Sequence, residues 1–223
     1  HEHRLGAVII LTGRFGKNQK EVYAFYLKNV RAGRVNNWDI VDSSAHKIIG
    51  PYLFDKPRDV LFELADNENL WQRRVAIIST FYFISKGDSS TALELAEKLL
   101  NDPHDLIHKA VGWMLREVGG RVEENILIEF LDKHVCEMPR TMLRYAIEKL
   151  PESKRKIILW TVMILVGILL FFFWAKSAQK GLKSFPKQEF IEKLQAPDFK
   201  KELEQAPQPE MPKLEIPEPT EEE

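Results

Sequence analysis

The stretch Arg-Arg-Val-Ala at residues 73–76 returns in altered form as His-Lys-Ala-Val at residues 108–111 and as Leu-Arg-Tyr-Ala at residues 143–146. The second residue of each copy is basic and lies 35 residues after its counterpart, and Asp39 stands one further step of 35 upstream. A fixed period of this length is typical of a solenoid of stacked helix pairs. The repeat therefore predicts an all-α solenoid.

The remainder of residues 1–153 predicts helices and no convincing strand. Pro57, Pro103 and Pro139 stand where first helical turns should begin, and Gly87 stands where a helix should end. The predicted helices cover roughly residues 4–15, 19–32, 38–53, 57–66, 69–86, 89–101, 104–118, 122–135 and 139–150. Short links between such helices favour antiparallel neighbours, and the length of this region suffices for one domain with its own core.

The recurring basic residue predicts a positive stripe, because the same helix of every pair faces the same way in a solenoid. Arg74, Lys109 and Arg144 would form this stripe, which suits a long polyanion such as a nucleic-acid backbone. The chain as a whole is nearly neutral, with 32 Lys+Arg and 33 Asp+Glu, so such binding must come from charge placement. The alternative is that Lys and Arg fill any helix surface and recur here by chance.

A second region begins at residues 157–175, a run without charge or proline. As a helix it would span roughly 28 Å, close to the hydrocarbon thickness of a bilayer. Trp160 and Trp174 stand near its ends, where interfacial aromatic residues belong. This run predicts a transmembrane helix; a buried core helix is the weaker alternative. Residues 176–223, rich in Pro and Glu, predict a mostly disordered acidic tail.

The single cysteine, Cys136, excludes an intrachain disulfide and fits a reducing compartment. The chain starts at His1 without a recognisable signal peptide. We expect it to be truncated at its N-terminus, because a solenoid should begin with a capping repeat.

Candidate chemistry centres on Trp38 and Asp42, which stand one helical turn apart on one face. An indole beside a carboxylate offers a flat apolar wall and a negative charge that can stabilise a developing cation. Trp113 follows Lys109 by four residues, and mid-helix Gly112 indicates a close approach of another group.

Each of these features has a simpler interpretation. A tryptophan on a helix is more often a core residue, and Asp42 could be a surface charge. Arg73 and Arg74 could pair with Asp66 or Glu68. His104 and His108 have metal-ligand spacing, but no third ligand or cysteine pair accompanies them, so no metal site and no cofactor are predicted.

Four blocks resemble the AlkD-like DNA alkylation repair family, at residues 37–42, 70–77, 108–117 and 138–146. The resemblance covers nearly all of residues 1–150 in order. It implies a solenoid of HEAT-like repeats that cradles duplex DNA. It also implies a DNA glycosylase that hydrolyses the N-glycosidic bond of alkylated purines such as 3-methyladenine and 7-methylguanine, while the base stays stacked.

The resemblance also implies roles for individual residues. The catalytic aspartate falls on Asp42, and the two tryptophans that bracket the damaged nucleotide fall on Trp38 and Trp113. The catalytic-site arginine that contacts DNA falls on Arg74 or, one residue out of register, on Arg73. The predicted DNA-binding residues are Arg73, Lys109, Arg140, Arg144, His108 and Lys47.

The expected partner is duplex DNA with alkylated purines, bound by a monomer, and the membrane through residues 157–175. Because DNA is cytoplasmic in a bacterium, the repair domain is expected inside, with the tail projecting outward. The competing hypothesis is a non-enzymatic, membrane-anchored HEAT-like scaffold that binds DNA or protein. A scaffold would have no reason to direct Trp38, Asp42 and Trp113 towards one basic surface.

Overall fold

The computed structural model describes residues 2–183, which form helices joined by turns, with no strand in that range. The helices are α1 (Glu2–Arg14), α2 (Gln19–Arg31), α3 (Trp38–Leu53), α4 (Asp59–Ala65), α5 (Leu70–Ser79), α6 (Phe81–Ser85), α7 (Ser90–Lys98), α8 (Asp105–Arg121), α9 (Glu124–His134), α10 (Arg140–Ala146) and α11 (Glu152–Lys183). Residues 184–223, which hold most of the predicted tail, lie outside the described residues, whereas residues 176–183 belong to α11.

The helices before α11 stack in two layers. The first layer contains α1, α3, α5, α8 and α10, each in contact with the next. The second layer contains α2, α4, α7 and α9, each packed against a helix of the first layer. This arrangement of helix pairs is that of an α-solenoid, as the repeat predicted.

Apolar side chains between the two layers form one continuous core. In α3 the fully buried residues Val41, Ala45, Ile48 and Ile49 follow the spacing of a single helix face. Each fully buried Val or Ile among them contributes roughly 1.5–3 kcal/mol relative to an exposed one. Burial of this face fixes the rotation of α3 and thereby directs the intervening residues away from the core.

Ion pairs tie neighbouring repeats together with a recurring spacing. Within the described residues, five of these pairs join residues 32 positions apart: Arg31–Glu63, Asp42–Arg74, Asp66–Lys98, Arg116–Glu148 and Glu117–Lys149. That spacing is one 35-residue repeat less about one helical turn. Side chains therefore reach across to the equivalent helix of the next pair, one turn earlier along its axis.

Two glycines allow neighbouring helices to pack closely. A Cβ atom at Gly112 would lie 2.5 Å from the carbonyl oxygen of Met142 and 2.6 Å from the Cβ of Tyr145. At Gly50, a Cβ would lie 2.5 Å from the Cβ of Tyr82. The close approach that the sequence indicated at Gly112 is confirmed, and the group that approaches is the backbone of α10.

The predicted single helix over residues 69–86 is in fact two helices, α5 and α6, separated at Thr80. The hydroxyl of Ser79 donates to the Val75 carbonyl at 2.6 Å, and that of Thr80 donates to the Ile77 carbonyl at 2.7 Å. Such bonds compete with the helical ladder and bend helices. The break places Phe81 at the start of α6.

The chain divides into two compact units, residues 1–164 and 165–223. In the second unit, the described part of α11 carries exposed apolar side chains, namely Val166, Ile168, Leu170, Phe171, Phe172, Phe173 and Trp174. Within residues 2–183, no helix meets the combined requirement of length and hydropathy for crossing a membrane. The predicted transmembrane helix is therefore not confirmed.

Candidate catalytic site and DNA interface

The side chain of Asp42 forms a two-pronged ion pair with Arg74. Asp42 lies in the second turn of α3, and Arg74 donates to its two carboxylate oxygens from Nε at 2.9 Å and from Nη2 at 2.7 Å. The remaining Nη1 group donates to the carbonyl oxygen of Leu106 at the start of α8. Arg74 is only 5% exposed. Its hydrogen bonds join α5 to α3 and α8, so it connects three helices of the first layer. Of the two adjacent arginines that the sequence offered, Arg74 and not Arg73 is the one that contacts Asp42.

The Asp42 carboxylate remains accessible, since 20% of its side chain is exposed. A carboxylate offers about four lone-pair positions, and Arg74 occupies one on each oxygen. The free positions can accept from a water molecule or face a positive charge. Bidentate pairing also fixes the plane of the carboxylate, so its orientation is set before any ligand arrives.

Trp38 stands one turn before Asp42 as the first residue of α3 and is 57% exposed. The interpretation of Trp38 as a core residue is therefore wrong. Its indole is available as an apolar surface beside the carboxylate, because residues at i and i+4 share a helix face.

Trp113 is half-buried in α8 and connects to α3 through two other rings. Its ring centroid lies 5.9 Å from that of Phe81, and Phe81 meets the edge of the His46 imidazole at 5.3 Å. His46 follows Asp42 by one turn, so Trp38, Asp42 and His46 form one row along α3. Phe81 and His46 thus connect Trp113 to the row of α3 that carries Asp42 and Trp38.

Sequence reasoning missed Phe81 and His46. The i, i+4, i+8 spacing of Trp38, Asp42 and His46 was a usable signal for His46. No signal marked Phe81, whose position depends on the break at Thr80. Burial lowers the pKa of His46, with a smaller lowering from Lys47, against a raising contribution from Asp42. The Nδ1 atom of His46 is buried without a hydrogen-bond partner in the described structure.

The predicted DNA-binding residues fall into two groups. Lys47, Arg140 and Arg144 are exposed, and half-exposed Lys109 pairs with Asp105 at 2.6 Å, one turn away. That hydrogen bond is the main reason that the pKa of Lys109 is raised. Exposed pairs of this kind are weak, so Lys109 can exchange Asp105 for a phosphate.

Arg73 and His108 are instead held by the protein. Arg73 pairs with Asp102 at 2.6 Å and donates to the backbone carbonyls of Asn67 and Glu68. A ring nitrogen of His108 lies 2.5 Å from the Asp102 carbonyl oxygen. The carboxylate partner of Arg73 is therefore Asp102, so the alternative pairing with the carboxylates of Asp66 or Glu68 is wrong for Arg73. DNA contacts of Arg73 and His108 stay a prediction.

His104 has a structural contact at the start of α8, where its Nδ1 accepts from the Leu106 backbone N–H at 3.3 Å. Among residues 2–183, no cluster of three His, Cys, Asp or Glu side chains is placed to hold a metal ion.

A comparison with protein-family models matches residues 1–150 to the family described as DNA alkylation repair enzyme. No curated protein and no solved structure matches the chain. The matched region contains the whole Asp42–Arg74 site and both tryptophans, and it covers more than half of the sequence. The chain therefore belongs to the DNA alkylation repair enzyme family.

Proposed function

We propose that the chain is a DNA glycosylase that hydrolyses the N-glycosidic bond of purines alkylated at N3 or N7 in duplex DNA. The observation that carries this proposal is the Asp42–Arg74 ion pair, accessible on one side and one turn from exposed Trp38. Family membership supports a role in DNA repair. The reaction type and the substrate are inferred from the chemistry of the site.

The proposed reaction begins with a base that is already a good leaving group. Alkylation at N3 or N7 makes the purine cationic, so the C1′–N bond breaks with its electron pair moving to the base. Positive charge then develops on the deoxyribose. The Asp42 carboxylate stabilises that charge and accepts a hydrogen bond from a water, which adds to C1′ and releases its proton to Asp42 or to solvent.

Arg74 acts by holding Asp42 rather than by touching the substrate. Its Nε and both Nη groups already donate to Asp42 and to the Leu106 carbonyl. A fixed guanidinium keeps the carboxylate in one orientation, so no reorganisation is needed as charge develops.

The indole of Trp38, and that of Trp113 across the Phe81 and His46 rings, supply aromatic surfaces for the cationic nucleotide. The face of an aromatic ring carries partial negative charge and attracts cations, more strongly in a desolvated site. Lys109 and Arg144, together with Lys47 and Arg140, then hold the phosphate backbone that positions the lesion.

The test is release of 7-methylguanine and 3-methyladenine from methylated duplex DNA by the full chain. We expect Asp42→Asn to slow release by about a hundredfold or more, because loss of one preorganised electrostatic partner commonly costs around 3 kcal/mol. Asp132→Asn, an exposed carboxylate on second-layer α9, is the matched control and should release bases at the unaltered rate. Full activity of Asp42→Asn would refute the mechanism.

Asp42→Asn leaves Arg74 with a weaker partner, so slower release could also reflect reduced stability of the fold. A second variant separates the two effects. Trp38→Ala removes an exposed ring and should leave the melting temperature nearly unchanged. We expect slower release of alkylated bases with little change in binding to undamaged DNA. Unaltered release would exclude Trp38 from the site, and a scaffold without activity would release no base at all.

We also propose, from the sequence, that residues 157–175 anchor the chain in a membrane, with the repair domain on the cytoplasmic side. The support is the uncharged run and the exposed apolar side chains of α11. The test is membrane fractionation followed by protease treatment of intact spheroplasts. Cleavage confined to residues beyond 177 would agree with this orientation, and a protected tail would reverse it. Recovery outside the membrane fraction would refute the anchor.

A further inference from the structure

A basic cleft lies where α8, α10 and the first turns of α11 meet. Its volume is about 610 Å³. The residues that line it are Arg116, Arg144, Tyr145, Ile147, Glu148, Glu152, Arg155 and Lys156. Three of them follow residue 150, where the family match ends, so membership of the family does not assign this cleft.

The cleft continues the surface that carries the candidate site. Lys109, Trp113 and Arg116 are spaced i, i+4 and i+7 along α8, so they share one helix face. Arg116 therefore stands one turn beyond Trp113 in the direction of the cleft. On the other wall, Tyr145 packs on α8 at Gly112, the residue immediately before Trp113.

The charges of the cleft do not cancel. Glu148 pairs with Arg116, and Glu152 pairs with Lys156 at 2.9 Å. The guanidinium groups of Arg144 and Arg155 make no ion pair with any residue between 2 and 183, which leaves an excess of two positive charges. Both glutamates are largely exposed, and exposed pairs contribute only about 0.2–1 kcal/mol, so a stronger anion can replace them.

Arg116 also has a hydrogen-bond donor to offer. Its Nε atom is buried and donates to no partner within the described structure. The Glu117 carboxylate lies 3.5 Å from this atom and forms an ion pair with the same guanidinium. A buried donor without an acceptor is costly. An anion in the cleft would instead reach the Nη1 group of Arg116, which Glu148 now occupies.

We propose that this cleft binds phosphodiester groups of the DNA strand that runs past the lesion, with Arg144 and Arg155 as the main contacts and Arg116 as a third donor. This inference rests on the proposed function, because its ligand is the DNA that the candidate site acts on. Continuity with the face of Lys109 and Trp113 favours a DNA strand over other anions. The start of α11 thereby extends the DNA-binding surface beyond the family region.

The experiment measures binding of the full chain to a fluorescent, undamaged duplex over a range of salt concentrations. Each phosphate contact contributes about 0.9 to the slope of log affinity against log salt. We expect Arg155→Gln and Arg144→Gln each to lower the slope by about that amount. Lys133→Gln, an exposed charge on second-layer α9, is the control and should leave it unchanged.

The outcomes separate this inference from the proposed function. If the unaltered chain binds DNA and releases 7-methylguanine but neither arginine variant lowers the slope, only the cleft proposal is overturned. If the unaltered chain does not bind DNA, both fail. A variant that keeps its DNA slope but loses binding to vesicles containing anionic phosphatidylglycerol would identify a lipid headgroup site instead, which also overturns the proposal. Melting temperatures of both variants establish that the fold is retained.

Discussion

Arg74 is a buried side chain that connects three helices and fixes the orientation of the Asp42 carboxylate. Its Nε and Nη2 atoms donate to Asp42, and its Nη1 atom donates to the Leu106 carbonyl. Its backbone neighbour Arg73 is held separately by Asp102. Two adjacent arginines therefore tie α5 to different parts of the next repeat, and only one of them determines the orientation of the candidate catalytic carboxylate.

The first prediction at this scale is that Arg74→Lys impairs both stability and base release. A lysine keeps the charge but cannot form a two-pronged bond with Asp42 and also reach the Leu106 carbonyl. We expect the free energy of unfolding in urea to fall by about 1–3 kcal/mol and release of 7-methylguanine to slow. Arg74→Gln, which also removes the charge, should leave the slope of DNA affinity against salt constant; a slope lower by about one would show that Arg74 contacts a phosphate.

The second residue-scale prediction concerns His46, whose pKa is lowered mainly by burial. A folded-state pKa below the unfolded value near 6.5 means that the unfolded chain takes up the proton first. The His46 contribution to stability is therefore complete above about pH 6.5 and declines as the pH falls towards the folded-state pKa. Titration of this one residue can change the free energy of unfolding by at most about 1.4 kcal/mol per pH unit.

Urea unfolding of wild type and His46→Gln between pH 5 and pH 7.5 measures this contribution. We expect the variant to lose stability less steeply with acidification than the wild type. His3→Gln, an exposed histidine, should follow the wild-type curve. If the free energy of unfolding changed with pH in the same way for wild type and His46→Gln, burial of His46 would not perturb its titration.

At the scale of elements, the packing of α8 against α10 depends on Gly112. A Cβ there would meet the Met142 carbonyl and the Tyr145 Cβ at distances that force the helices apart. We expect Gly112→Ala to destabilise the protein by about 1–3 kcal/mol, even though alanine favours a helix by roughly 1 kcal/mol. Gly120 in the same helix has no neighbour within 4 Å, so Gly120→Ala should be neutral or stabilising. If both variants changed the melting temperature in the same direction, this account would be contradicted.

The break between α5 and α6 is the other element-scale feature that shapes the site. Without it, the residues after Ser79 would continue the axis of α5. The turn at Thr80 instead begins a short helix whose first residue, Phe81, contacts both His46 and Trp113. The guanidinium of Arg121 covers the same ring at 5.0 Å, so Phe81 links α6 to α3 and α8.

At the scale of the whole molecule, the solenoid is stabilised by contacts between successive repeats. The ion pairs at a spacing of 32 residues and the layer-to-layer core all lie within residues 1–164. A unit with its own core can fold independently. Glu124 on α9 pairs with Lys154 of α11, so the first turns of α11 belong to this unit.

We therefore predict that a chain ending at Ile164 retains the fold and the base-release activity of the full chain. Its melting temperature should match that of the full chain within a few degrees, and it should lose any association with membranes. Ending the chain at Pro151 instead removes Arg155 and Lys156, and we expect it to weaken DNA binding. Circular dichroism and the salt-dependent DNA titration measure these effects. Unfolding of the chain that ends at Ile164 would show that the second unit is required for stability.

The sequence by itself determined the repeat, the all-α class and the family. These follow from local information: the 35-residue period, the prolines and glycines at helix ends, and four blocks in order. It also identified Trp38, Asp42 and Gly112, because spacing along one helix is readable without a structure.

Only the tertiary structure decided which partners those residues have. The choice of Arg74 over Arg73 depends on which side chain points across to α3, and that is set by how α5 rotates to bury its apolar face. Phe81, His46 and the cleft at Arg144 and Arg155 likewise join residues from different helices. Contacts of this kind depend on how separate helices pack against one another, which no local pattern in the chain specifies.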